Sequence, residues 1–148
     1  MRRALRVAAT VVCLAGLGAT SAQAYTWASA SAPKLVSYNG ATRGGGYGTV
    51  SSVAWNKAEL RSRLKDHRVD SMRTYAQTNA ARGTSDFLMA QSGRRSDGGS
   101  TYAAMSPKTL TASYGHGVSQ YRWTTKVCMD RSLANDPCTS PNATVQGL

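Results

Sequence analysis

Acidic residues and histidines are scarce in this chain, and this scarcity limits the chemistry it can perform. Seven Asp and Glu residues stand against 18 Lys and Arg, and the only histidines are His67 and His116. Glu59 is the sole glutamate, and no Asp spacing indicates a paired-carboxylate site. The chain lacks a Gly-x-Ser-x-Gly nucleophile motif, and its glycine-rich stretch at 44–48 lacks the Lys-Ser/Thr ending of a phosphate-binding loop. The sequence therefore predicts no catalytic residues, no metal site and no cofactor.

Long apolar runs are also absent, apart from one at the N-terminus. Residues 7–20 carry no charge, follow a basic opening that contains three arginines, and precede the small-residue stretch Ser21-Ala22-Gln23-Ala24. This order is typical of a secretory signal peptide. The run is too short and too rich in Ala and Gly for a bilayer span, which needs about 20 apolar residues. We therefore predict a signal peptide at residues 1–24, cleavage after Ala24, secretion and no membrane span.

Removal of the leader leaves 124 of the 148 residues, a length typical of one domain. The leader takes three arginines and no acidic residue with it, so the net charge falls from +11 to +8. Such a chain should be attracted to polyanions outside the cell, including anionic cell-wall polymers. Cys13 leaves with the leader, and the remaining Cys128 and Cys138 are expected to form one disulfide. Closing that loop is worth about 2–3 kcal/mol.

The remaining chain has the pattern of an all-β protein. About seven short segments with alternating polarity, separated by Gly- and Ser-rich turns, predict a small antiparallel β-sandwich at 34–148, after a loose N-terminal arm at 25–33. The clearest strand is 118–129, and 43–48 is predicted to be a flexible loop. The expected core anchors are Trp55, Tyr75, Tyr121 and Trp123. The segment 59–80 is ambiguous: two strands are favoured, and the alternative is an α+β fold with a helix there. The domain is expected to be a monomer.

The C-terminal part carries a recognisable pattern. Residues 121–131 read YRWTTKVCMDR, and Asn135-Asp136-Pro137-Cys138 follows them. This arrangement resembles the C-terminal end of small exported proteins of actinomycetes, which pair a VCxDR strand with a DPC loop. The resemblance covers roughly the last 30 residues and implies an exported, single-disulfide β-sandwich. It implies no activity, because none is established for that family.

Basic residues and tyrosines form the best-supported binding pattern. If 60–65 is a strand, Arg61, Arg63 and Lys65 share one face, while Arg94 and Arg95 fall in a loop and Arg122 and Lys126 share the outer face of the late strand. Tyr47, Tyr102 and Tyr114 lie next to Gly-rich segments, where a ring can stack on a sugar or a base. We therefore predict a secreted, non-catalytic basic surface module that binds extracellular polyanions or the cell envelope.

Two other functions are compatible with the sequence. The first is a small secreted hydrolase resembling a ribonuclease, in which His67, His116 and Glu59 would supply acid, base and electrostatic groups. Histidine suits this chemistry because its unperturbed pKa is about 6.5. The second is a protein-interaction or inhibitor module that presents the loop 94–100 to a protein partner.

Overall fold

Strands make up most of the described part of the chain. The computed structural model describes residues 24–54, 57–68, 72–82, 85–96, 98–111, 120–131 and 135–147. Within these ranges there is no helix, and the strands are β1 (Ala24–Ala28), β2 (Lys34–Tyr38), β3 (Ala41–Ala54), β4 (Lys57–Asp66), β5 (Arg73–Arg82), β6 (Ser85–Gln91), β7 (Ala103–Ala104), β8 (Lys108–Thr111), β9 (Gln120–Asp130) and β10 (Asn142–Gly147). The all-β prediction is confirmed. The helix at 59–80 is not favoured, since β4 and β5 occupy most of that segment.

The strands form two antiparallel sheets. Sheet 1 has the order β1-β3-β4-β7, with β2 also paired to β3 and β8 also paired to β4. Sheet 2 has the order β10-β9-β5-β6. The inner face of β3 packs against sheet 2, because a Cβ added to Gly46 would lie 3.2 Å from a methyl group of Val127 in β9. The molecule is a small β-sandwich, as predicted, and its core lies between the sheets.

Side-chain alternation defines the two faces of sheet 1 most clearly in β4. Ala58, Leu60 and Leu64 are buried, whereas Arg61 and Arg63 on the opposite face are exposed. The buried apolar residues of both sheets form one cluster, consisting of Trp27, Val36, Val50, Ala58, Leu60, Leu64, Ala76, Ala80, Leu110, Trp123, Val127 and Met129. Each large side chain in this cluster contributes roughly 1.5–3 kcal/mol through burial.

Two of the four expected anchors, Tyr75 and Trp123, have described side chains, and both are buried. Trp123 lies in the core, and Tyr75 is only 3% exposed. Tyr75 belongs to the outward row of β5, opposite Cys128, and is covered from outside by Arg94. Trp55 lies outside the described residues, as do the side chain of Tyr121 and the leader at 1–23. The anchor prediction is therefore confirmed for Trp123 and for the burial of Tyr75.

The segment at 25–33 is not a loose arm along its whole length. Residues 24–28 form β1, which pairs antiparallel with residues 48–51 of β3. Trp27 is completely buried in the core, and its carbonyl oxygen accepts a hydrogen bond from the side-chain amide of Asn142. The small polar residues around Trp27 predicted a loop, but burial of the indole and pairing of the backbone stabilise a strand instead.

The glycine-rich segment at 43–48 is also a strand and not a loop. It lies within β3, between β2 on one edge and β4 on the other. Gly44 faces sheet 2 so closely that an added Cβ would lie 2.0 Å from the Thr74 hydroxyl oxygen. The absent side chain thus permits close sheet packing, and this tertiary contact outweighs the low strand propensity of glycine.

The predicted disulfide between Cys128 and Cys138 is confirmed. Its Cα atoms are 4.1 Å apart, and the backbone of the two residues forms an isolated antiparallel bridge. Cys128 is completely buried although it lies in the outward row of β9, because the segment that contains Cys138 covers it. The C-terminal residues 142–147 then form β10, which pairs with β9.

Candidate functional site: a basic, aromatic face of sheet 1

The basic residues singled out in the sequence are divided between the two sheets. Arg61, Arg63 and Lys65 lie in β4 and point to the outer face of sheet 1. Arg122 and Lys126 lie in the outward row of β9 in sheet 2, on the other side of the sandwich. Arg94 and Arg95 follow β6 and lie beside β5. The seven residues therefore do not form one patch.

The outer row of β4 carries four cations and one carboxylate. It runs Lys57, Glu59, Arg61, Arg63, Lys65, and successive residues on one face of a strand are about 6.7 Å apart. Arg61 Nε lies 2.5 Å from Glu59 Oε1, and the Arg61 side chain is still 65% exposed. Such an exposed ion pair is worth little, about 0–1 kcal/mol, so the guanidinium keeps its capacity to bind another anion.

Two tyrosines lie beside this basic row. Tyr47 in β3 is directly opposite Arg63 in β4, and Tyr102 precedes β7 at the other edge of β4. The two rings meet edge to face, with centroids 5.2 Å apart. Burial, together with the neighbouring Tyr47, raises the pKa of Tyr102. Aromatic rings and guanidinium groups thus share one outward surface, which we call the basic-aromatic face.

Gly45 makes room for this arrangement. A Cβ at that position would lie 2.8 Å from a methyl group of Leu35 and 2.9 Å from the Tyr102 hydroxyl oxygen. Leu35 is 49% exposed and lies in β2, opposite Gly45. Side chains from both edges of the sheet therefore reach over the central glycine and extend the apolar part of the basic-aromatic face.

An open groove of about 540 Å³ crosses this face. Its floor comes from the middle of sheet 1, and its ends are closed by residues from the β1–β2 and β7–β8 connections. We call it the transverse groove; its lining residues are Thr26, Ala28, Ser29, Ala30, Tyr47, Gly48, Thr49, Arg61, Ser62, Arg63, Ala104, Met105 and Pro107. Its volume lies within the range of about 300–1,000 Å³ that is usual for small-molecule sites.

Arg94 and Arg95 have structural contacts instead of forming an open binding loop. Arg94 Nε lies 2.5 Å from Asp130 Oδ2, and its guanidinium carbon is 5.1 Å from the centre of the Tyr75 ring. Arg95 exchanges two backbone hydrogen bonds with Thr74 and so extends the edge of sheet 2. These contacts hold the segment after β6 against the sandwich, and they partly neutralise the charge of Arg94.

A second set of interactions holds the disulfide-bonded segment in place. Tyr75 Oη donates a hydrogen bond of 2.6 Å to Asp136 Oδ2, and the Arg131 amide donates one of 2.9 Å to Asp136 Oδ1. Burial raises the pKa of Tyr75, and the hydrogen bond to Asp136 raises it further. Tyr75 therefore stays protonated and acts as a donor at neutral pH.

The residues considered for a hydrolase do not assemble in the described structure. Glu59 lies near the start of β4 and is paired with Arg61, whereas His67 follows the end of the same strand. Eight residues of strand separate their backbones by about 26 Å. Burial and the charge of Lys65 lower the pKa of His67. His116 and Tyr114 lie outside the described residues.

Sequence reasoning missed several contributors to this surface. Lys57 belongs to the same outer row as Arg61, and the alternation of β4 could have identified it. Thr26, Ala28 and Ala104 line the groove from β1 and β7. No local pattern in the sequence marks these small residues, because only strand pairing brings them beside β3 and β4.

Comparisons with protein-family models, with curated protein sequences and with solved structures found no match to this chain. Among the described residues, no helix is long and apolar enough to cross a membrane. In the same part of the chain, no group of three or more His, Cys, Asp or Glu side chains is placed to hold a metal ion.

Proposed function

We propose that this protein is a secreted, non-catalytic module that binds an extracellular polyanion, such as an anionic cell-wall polymer, through the outer face of sheet 1. The observation that carries the proposal is the outer row of β4, in which Arg61 and Arg63 are exposed and four cations accompany a single carboxylate. The leader-like N-terminus and the disulfide support export, since disulfides persist in oxidising compartments.

The position of β4 favours binding of a repeating anion. β4 lies inside sheet 1, with β3 on one side and β7 and β8 on the other, so its backbone is held in place. Arg61, Arg63 and Lys65 therefore project at a regular spacing of about 6.7 Å without a large loss of backbone entropy on binding. Attraction between exposed charges is screened by salt, so binding should weaken as the ionic strength rises.

Co-sedimentation of the purified protein with Gram-positive cell walls tests this proposal. The test variant is Arg61→Gln/Arg63→Gln/Lys65→Gln. The control is Arg73→Gln/Arg122→Gln/Lys126→Gln, which removes the same charge from the outer face of sheet 2. We expect the wild type and the control to sediment at low salt and to be released at high salt, and the test variant to bind at least tenfold more weakly.

Three results would contradict the proposal. Absence of binding at low salt would refute the polyanion function. Equal weakening of binding in both triple variants would mean that binding depends on the net charge of the protein and not on the basic-aromatic face. Binding that resists high salt would indicate a protein-like interface, as expected for an interaction or inhibitor module.

A further inference from the structure

The transverse groove has features that binding of a polyanion to a row of surface cations does not require. It runs across the strands, whereas the basic row runs along β4. Small residues of three strands, including Ala28, Thr49 and Ala104, keep its floor low, while Tyr47 and the two arginines of β4 stand around it. The surface is therefore concave at the place where charge and an aromatic ring meet.

The floor depends on a close approach of two backbones. Gly48 in β3 lies opposite Ser62 in β4, and a Cβ at Gly48 would lie 2.0 Å from the Arg61 carbonyl oxygen. No side chain other than hydrogen fits there without displacing β4. The glycine thus lets β3 and β4 approach each other closely beneath the groove.

The groups around the groove indicate the chemistry of an occupant. Arg61 and Arg63 supply two guanidinium groups, of which Arg61 is paired with Glu59 outside the groove. The described residues that line the groove include no carboxylate. Guanidinium groups bind phosphate or carboxylate by paired N–H donors. Tyr47 offers a ring directly across from Arg63, at the distance of neighbouring strands. Thr26 and Thr49 add hydroxyl groups that can both donate and accept hydrogen bonds, whereas the Ser29 hydroxyl is hydrogen-bonded to Ser31 and accepts from the Ala32 amide.

A sugar that carries an acidic group satisfies all three features. Its anionic group pairs with the arginines, its hydroxyl groups contact the Thr26 and Thr49 side chains, and its C–H face covers the ring of Tyr47. A neutral sugar forms no ion pair with Arg61 or Arg63, and a free inorganic anion makes no contact with the Tyr47 ring or the hydroxyl groups of the floor. We infer that the transverse groove binds one anionic sugar unit, a sugar phosphate or a uronate, of the polymer. This inference rests on the proposed function.

Titration of the purified protein with small probes, followed by NMR at physiological salt, tests the groove. The probes are glucose 1-phosphate, galacturonate, glucose and inorganic phosphate. We expect saturable shifts with at least one acidic sugar, and at least tenfold weaker binding of glucose and of inorganic phosphate. The acidic sugar that binds more tightly distinguishes a phosphorylated unit from a carboxylated one.

Two tryptophan variants separate filling of the groove from a general surface change. Ala104→Trp places a large ring at the groove, and Thr111→Trp adds the same ring at an exposed position of β8 that does not line it. We expect Ala104→Trp to weaken binding of the acidic sugar at least tenfold and Thr111→Trp to leave it unchanged. Glucose or inorganic phosphate binding as tightly as the acidic sugars, or unchanged binding in Ala104→Trp, would overturn the inference.

The two proposals fail in different ways. If the protein sediments with cell walls in a salt-dependent manner but no acidic sugar produces saturable shifts, the groove assignment is wrong and the polyanion function stands. If the acidic sugars bind in the groove but the protein does not sediment with walls at low salt, the wall-polymer function is wrong and the sugar site stands.

Discussion

Replacement of Gly44 by alanine is the most direct test of how the two sheets pack. The new Cβ would lie 2.0 Å from Thr74 Oγ1, 2.8 Å from Thr74 Cγ2 and 2.9 Å from Thr74 Cβ. Thr74 is 1% exposed, so it has little room to turn away. The substitution therefore forces the sheets apart or drives Thr74 into a poor rotamer.

Two opposing effects set the size of the loss in stability. Overpacking a well-packed core costs about 1–3 kcal/mol, and three contacts below 3.0 Å place this case near the upper end. Alanine is otherwise better than glycine inside a strand by about 0.5–1 kcal/mol. We expect the free energy of unfolding to fall by about 2 kcal/mol, measured by urea denaturation with an unchanged m-value.

A control and a rescue variant make the prediction specific. Gly93→Ala adds the same methyl group where it meets only the terminal methyl group of Met105, 3.0 Å away, so the change should stay within about 0.5 kcal/mol. Thr74→Ala removes two of the three crowding atoms. Combined with Gly44→Ala, it should show a favourable coupling of at least about 1 kcal/mol. A harmless Gly44→Ala, or the absence of coupling, would refute the close packing of β3 on β5.

Two further substitutions test individual groups. Tyr75→Phe removes the hydroxyl that donates to Asp136 and leaves that carboxylate oxygen without its donor. The free energy of unfolding, measured by urea denaturation, should therefore fall by about 1–3 kcal/mol. An unchanged free energy of unfolding would contradict the role of this hydrogen bond. The pKa of His67 is lower in the folded protein than in the unfolded chain. Just below pH 6.5 the unfolded chain therefore binds more protons than the folded protein, and the free energy of unfolding should fall as the pH drops below 6.5. His67→Gln should make this pH dependence shallower and leave stability above pH 7 nearly unchanged; an identical slope in the variant would contradict the assignment.

The inward or outward direction of side chains within a single strand could be predicted from the sequence. The alternation in β4 predicted that Arg61 and Arg63 point away from Leu60 and Leu64, and the structure has this arrangement. The same reasoning placed Trp123 on the inner face of β9. These predictions succeed because the two-residue period of a strand is a local property of the chain.

Features that depend on which strands pair could not be predicted from the sequence. Trp27 lies among small polar residues that predict a loop, and only the pairing of β1 with β3 places it in the core. Gly44 looks like part of a flexible loop until β5 is placed against it. In both cases a long-range contact outweighs the local propensity on which sequence reasoning depends.

The sequence by itself thus determined the pair of cysteines that form the disulfide, and it favoured the all-β class and the basic row of β4, because alternation is a local property of the chain. Only the tertiary structure decided that Arg94 and Arg122 lie apart from this row, and that Tyr47, Arg63 and Ala104 meet in one groove. The physical reason is that strand order and register bring distant segments together. A shift of one residue in register would send every side chain of a strand to the opposite face.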